Sequence, residues 1–141
     1  MQPNGSDVFV AHCRQTDGAI QSVREHLEGT SSLASLFAAK VGLSSLGTLA
    51  GLLHDLGKYS DAFQAYLKTV TTEPQRAARL RGTVDHSSAG AQHCWRTLLQ
   101  HEQPLLRLAG QMVALCLASH HTGLIDCLAP DGDDVFSNRM K

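Results

Sequence analysis

The sequence has 141 residues, 43% of them hydrophobic, with 12 Lys and Arg against 13 Asp and Glu and a formal net charge of −1. That length fits one domain with its own core, the apolar content excludes long-range disorder, and the balanced charge offers no global attraction for nucleic acid. No apolar run approaches the roughly 18 residues of a membrane span; residues 1–7 lack a signal peptide's basic and apolar regions, and four separated cysteines without a Cys-x-x-Cys spacing predict reduced thiols in a cytoplasmic protein.

Residues 1–18 read as a polar, turn-rich N-terminal segment in which Val8-Phe9-Val10-Ala11 is too short for a secure element. His12 follows that run as a surface or supporting imidazole. Over residues 19–41 the spacing predicts a helix, with Val23, His26, Thr30, Leu33 and Phe37 forming one stripe at intervals of three and four. His26 therefore shares the direction of core residues. Gly42 and Ser44-Ser45 interrupt the pattern, and Leu49, Leu52, Leu53 and Leu56 define a second helix. Gly57 is expected to stop it, leaving His54 and Asp55 at its C-terminal end. An antiparallel hairpin of these two helices would bring His26 to the His54-Asp55 pair.

Ser60 is the expected N-cap of a short helix carrying Phe63, Tyr66, Leu67 and Val70 on one face. Residues 71–84 hold the basic cluster Arg76, Arg79 and Arg81 and read as a solvated loop able to meet a phosphate backbone. Asp85-His86-Ser87-Ser88-Ala89-Gly90 opens the next helix, whose buried stripe is Ala91, Cys94, Trp95, Leu98 and Leu99. His93 and His101 are read as structural or exposed. Pro104 begins a further helix, with Leu105, Leu108, Ala109, Met112 and Cys116 lining one face that runs on to His120. Cys94 and Cys116 are expected in the core; Cys13 and Cys127 are not placed. His120-His121 close that helix and Gly123 ends it. Residues 124–141 read as a tail with a turn at Pro130-Asp131-Gly132. No strand, repeat or internal linker is expected, so the fold class is all-α: an N-terminal segment over 1–18, a helical domain over 19–127 and a tail over 128–141.

A carboxylate and an imidazole set in an apolar frame cost several kcal/mol unless they are satisfied. A lone His-Asp pair is most often a hydrogen-bonded couple. Here, however, the chain carries 8 His, and His26, His54-Asp55, His86 and His120-His121 fall at the ends or buried faces of successive predicted helices. That set exceeds one tetrahedral structural zinc. It suits two ions sharing a bridging carboxylate, an arrangement that stabilises both the attacking and the leaving oxygen of a phosphoryl displacement. Imidazole-rich shells favour manganese, iron, cobalt or nickel, with magnesium less suited.

The phrases Ala11-His12, Glu25-His26-Leu27, Gly51-Leu52-Leu53-His54-Asp55-Leu56-Gly57-Lys58, Phe63-Gln64, His86-Ser87-Ser88-Ala89-Gly90 and Ser119-His120-His121-Thr122-Gly123-Leu124 resemble the HD superfamily of metal-dependent phosphohydrolases. More narrowly they resemble the HD nuclease domain of CRISPR type I helicase-nucleases, over residues 11–127. The resemblance implies an HD-domain helical bundle and a metal-dependent DNA endonuclease or exonuclease acting mainly on single strands, in CRISPR interference against invading DNA. It also implies a superfamily-2 helicase, in the same or a separate chain, and an RNA-guided surveillance complex as partners. Carried over by motif, His26, His54 and Asp55 would hold one ion, and Asp55, His86, His120 and His121 the second. Asp55 and Lys58 would be the catalytic pair, with Lys58 steering the scissile phosphate.

One departure stands out. The family pattern includes a further Asp on a later helix, whereas Asp126, Asp131, Asp133 and Asp134 come too early and in a predicted loop. No helicase motif is present, so the sequence reads as a fragment of a longer protein in which occupancy by one ion is an alternative. Two other functions share these residues: an HD phosphohydrolase acting on nucleotides or signalling nucleotides, and a catalytically incomplete module that binds a helicase or surveillance complex.

Overall fold

The computed structural model describes residues 8–14, 16–121 and 123–141. In chain order these form β1 (Val10–Cys13), β2 (Ile20–Ser22), α1 (Val23–Ala39), α2 (Ser44–Leu53), a 3₁₀ turn (Leu56–Tyr59), α3 (Asp61–Thr72), α4 (Pro74–Leu80), α5 (Ser88–Leu98), α6 (Pro104–Ser119) and α7 (Val135–Arg139). The domain is helical, as expected, with a small antiparallel ribbon of β1 and β2 that was not. The ribbon is hard to read because its strands are short and a register irregularity between Val10 and His12 breaks the alternation of side chains. It also explains why α1 begins at Val23 rather than at residue 19. Ser22 ends β2 and caps the helix: its Oγ accepts from Glu25 N–H at 3.2 Å while Glu25 Oε2 accepts from Ser22 N–H at 2.9 Å.

The buried faces of α1 and α6 differ from the predicted ones for a common reason. On α1 the buried positions are Val23, Leu27 and Ser31, whereas Leu33, Leu36 and Phe37 are 54%, 69% and 59% exposed. Gly47 and Gly51 of α2 lie against this face. A Cβ on Gly47 would sit 2.5 Å from the Ala34 carbonyl oxygen, and one on Gly51 would collide with the Ser31 backbone. Two helix backbones meet that closely only through small residues, so the large apolar side chains are left outside. Gly51→Ala is therefore expected to destabilise the fold by about 1–3 kcal/mol through overpacking, read as a lower thermal midpoint; an unchanged midpoint would mean that α1 can retreat freely.

On α6 the buried residues are Gly110, Val113, Ala114, Leu117, Ala118 and Ser119. Leu105, Leu108 and Met112 are 77%, 52% and 50% exposed, and Cys116 is exposed rather than in the core. A Cβ on Gly110 would collide with the Leu98 side chain of α5, so here too small residues face the neighbour. The main core unites α5 and α6 through Ala91, Cys94, Val113, Ala114, Leu117 and Ala118, joined by Phe136 and Met140. Phe136 lies on α7 and Met140 directly follows it, so the tail is more than a turn. Asp134 caps α7 by accepting from Ser137 N–H at 2.8 Å, and Phe136 meets the Trp95 ring edge-on at a 5.2 Å centroid separation.

Other expectations hold with local corrections. Ser60 caps α3 through Phe63 N–H at 3.3 Å, and Pro104 starts α6. The basic stretch is mostly the helix α4 rather than a loop, with Pro74 in its first turn and Arg76 paired to Glu73 at 3.3 Å. Gly57 does not terminate α2, which ends at Leu53. It lies in the 3₁₀ turn, where a Cβ would approach the His86 carbonyl oxygen to 2.5 Å and where Gly57 N–H donates to that oxygen at 3.2 Å. The glycine is needed for the approach of the His86 segment. Among the described residues no helix is long and apolar enough to cross a membrane.

Candidate metal centre

Asp55 sits just beyond the end of α2 and is 3% exposed. Its two carboxylate oxygens face different groups. Oδ2 lies 2.8 Å from His26 Nε2, 3.2 Å from His54 Nε2 and 2.9 Å from Lys58 Nζ. Oδ1 lies 3.2 Å from His120 Nε2 and 3.8 Å from both His86 Nε2 and His121 Nε2. The α1–α2 hairpin delivers His26, as its spacing predicted. The turn before α5 delivers His86, and the end of α6 delivers His120 and His121. Gly123, at φ 78°, lies where the chain leaves that helix. Thus all six residues picked out in the sequence converge. Two groups have ligand atoms mutually close enough for one ion: His26, His54 and Asp55, and Asp55, His86 and His121.

The chemistry of the rings shows what such a cluster can take. His54 Nδ1 lies 2.9 Å from the Gly51 carbonyl, His86 Nδ1 3.1 Å from that of Val84, and His120 Nδ1 2.6 Å from that of Leu117. A ring nitrogen facing a carbonyl donates its proton there, so a neutral imidazole is left with Nε2 as a bare acceptor. Those Nε2 atoms point at a carboxylate and at one another: His54 and His26 at 3.1 Å, His86 and His121 at 2.9 Å. Lone pairs facing lone pairs repel unless a proton or a cation lies among them. Burial lowers the pKa of His26 and of His121, which disfavours protons there. His120 is raised, because a protonated ring can donate from Nε2 to Asp55 as well as from Nδ1 to the Leu117 carbonyl. Burial pushes the Asp55 carboxyl up, yet the Lys58 ammonium and the hydrogen bonds that protonated His120 and His54 rings would donate outweigh it and hold the group far below the carboxylate range. The donor set could hold a divalent metal, with the Nδ1 contacts fixing ring orientation as outer partners of ligating histidines do.

Lys58 is 4% exposed, and its ammonium is shared between Asp55 and His12, whose Nε2 lies 3.0 Å away. His12 on β1 thus supports the site rather than joining the ligands. Gln64 of α3 fastens the ribbon to this turn: its amide donates to Lys58 O at 2.7 Å and Val10 O at 3.0 Å, and its Oε1 accepts from Val10 N–H at 3.0 Å. Nothing in the helical spacing of α3 marks Gln64; only the Phe63-Gln64 phrase did. Arg139 contacts the segments carrying His86 and His120 and was not anticipated at all, since it lies beyond every phrase that carried the resemblance. Arg76 and Arg79, with Glu73 and Gln75, line a cavity of about 610 Å³ on the α4 side and are not among the groups around Asp55. Asp126, Asp131, Asp133 and Asp134 likewise stand outside both ligand groups.

The sequence matches the Cas3, HD domain family over residues 6–132. The chain belongs to this family. A protein of Myxococcus xanthus (strain DK1622) assigned as a CRISPR-associated nuclease/helicase Cas3 is 30% identical to it across 93% of the chain, which spans 17% of that relative's length. The His-Asp cluster around Asp55 could hold a divalent metal in such a domain.

Proposed function

We propose that this domain is a metal-dependent nuclease that hydrolyses phosphodiester bonds of DNA, mainly single-stranded, in CRISPR-associated defence in the cytoplasm. What carries the reading is the division of one buried carboxylate between two sets of ring nitrogens. His26, His54 and Asp55 are assigned to a first ion, and Asp55, His86, His120 and His121 to a second; manganese, iron, cobalt or nickel fits these ligands best. Divalent ions held there supply the charge that activates water and stabilises the attacking and leaving oxygens. The chain's own residues hold the ligands in place: backbone carbonyls orient His54, His86 and His120, and His12 and Gln64 brace the Lys58 turn. Lys58 is assigned to the scissile phosphate as a compact positive charge.

The near-neutral net charge of −1 gives little grip on a polyanion. Delivery of the strand by a superfamily-2 helicase, following an RNA-guided surveillance complex, would supply what the domain's own field does not. The name of the Myxococcus relative, of which this chain matches only a part, includes a helicase. The test is incubation of manganese- or cobalt-loaded protein with single-stranded DNA, duplex DNA and a panel of nucleotides. Single strands are expected to be cut fastest, with a rate that falls as salt rises. Nucleotide turnover without DNA cleavage would instead identify a nucleotide phosphohydrolase, and metal uptake without any turnover a binding module.

A further inference from the structure

The guanidinium of Arg139 bridges two segments that carry ligands of the second set. Its Nε donates to Ser88 Oγ at 2.6 Å, Nη2 to Ser87 Oγ at 2.7 Å and Nη1 to the Ala118 carbonyl at 2.8 Å. Ser87 and Ser88 directly follow His86, and both are buried. Ala118 lies two residues before His120, in the last turn of α6, where carbonyls have no partner within the helix. Asp85, on the other side of His86, accepts from Ser87 N–H and Ser88 N–H at 3.0 Å each and lies 3.7 Å from Arg139 Nη2. One planar fork therefore fixes the distance between the turn holding His86 and the helix end holding His120 and His121.

The base of this side chain is itself anchored. Phe136 of α7 and Met140, which directly follows that helix, are buried in the core. Gln92 of α5 donates to the Arg139 carbonyl at 2.9 Å, and Arg96 donates to the Lys141 carbonyl at 2.7 Å. The fork thus has little freedom to follow either segment if they drift apart.

We infer that Arg139 is a positioning residue for the second ion: it sets the separation of His86 from His120 and His121, and the tail exists in this fold partly to present it. The inference rests on the two-ion reading above. No atom of Arg139 is assigned to the ion or to the substrate; it acts through Ser87, Ser88 and the end of α6.

Titration of the 141-residue chain with cobalt alone, followed by the visible absorption of the bound ion and by calorimetry, tests this. Wild-type protein is expected to take up two ions. Arg139→Met keeps the packed stem and removes the fork; it should leave the first ion's affinity unchanged and weaken the second by about 10–100-fold, the usual cost of losing an outer partner of a ligand. Arg139→Lys keeps charge and stem, so the tail should stay docked. Its single ammonium cannot span three acceptors, and the second ion should still weaken selectively. Wild-type affinity for the second ion in either variant overturns the inference while leaving the two-ion reading intact. Equal weakening of both ions, or loss of the fold in both variants, reduces Arg139 to a general structural role and likewise overturns it. A wild-type chain that takes up only one ion removes the two-ion reading and this inference with it.

Discussion

Asp55→Ala is expected to empty both metal sites at once and to weaken the fold even in metal-free protein. The metal effect follows from geometry, because Asp55 supplies a carboxylate oxygen to each ligand group. Replacing His54 should spare the second ion, and replacing His86 the first; replacing Asp55 should spare neither. DNA hydrolysis should fall by at least about 100- to 1000-fold, the scale of losing one strong electrostatic stabiliser. The stability effect has a separate cause. Lys58 is 4% exposed and lies 2.9 Å from Asp55. Without the carboxylate its ammonium is left buried against neutral or like-charged groups, at a cost of roughly 3–5 kcal/mol. Calorimetric metal titration and chemical denaturation of the apo protein measure the two effects independently. An Asp55→Ala protein that still binds two ions would show that the carboxylate is a hydrogen-bond acceptor only.

Lys58→Met should separate binding from turnover. In the described structure the Lys58 ammonium compensates Asp55 Oδ2, the oxygen that also belongs with His26 and His54. It therefore competes with a cation for that oxygen. Removing the charge is expected to tighten the first ion about tenfold, equivalent to about 1.4 kcal/mol. If Lys58 meets the scissile phosphate as proposed, turnover of single-stranded DNA should nevertheless drop by about 100- to 1000-fold, since the phosphate would lose its positive partner. Methionine fills much of the same apolar volume, which limits the packing loss. Metal titration beside single-turnover cleavage reads the split. Parallel loss of both would mark Lys58 as a brace for the turn, with no part in the chemistry.

The candidate ligands were readable from the sequence because His54-Asp55, His86 and His120-His121 lie where helical spacing breaks, after Leu53, before Ser88 and at the end of α6, whereas His26 lies on the predicted stripe of α1. Their convergence was readable from the hairpin of α1 and α2 and from the family phrases. The faces of α1 and α6 were misjudged because hydrophobic periodicity ranks a helix face by the size of its apolar residues. In this fold the tight contacts run through Gly47, Gly51 and Gly110, whose lack of a side chain lets a neighbouring helix approach. Leu33, Phe37, Leu105 and Met112 are then left outside. Gly57 was misread in the same way, as a helix stop where a close backbone contact was required. The ribbon and α7 escaped notice because three to five residues cannot display a period, although Asp134 with Phe136 and Met140 is in hindsight a capped turn with two core anchors. Arg139 carries no local signal, since the groups its guanidinium donates to lie 21 to 52 residues away in the sequence.

The division of Asp55 between two ligand groups also governs how the domain should respond to changing metal supply. If two divalent cations bind there as proposed, they share one negative charge, and each ion that entered would make the other's arrival less favourable. By thermodynamic linkage that antagonism is equal in both directions. Occupancy then climbs over a wider span of metal concentration than two independent sites of the same mean affinity would show. A singly loaded form becomes a distinct population rather than a fleeting one. Activity that needs both ions would follow the weaker step alone, so a modest fall in free metal could silence the domain while one ion still holds its helices together.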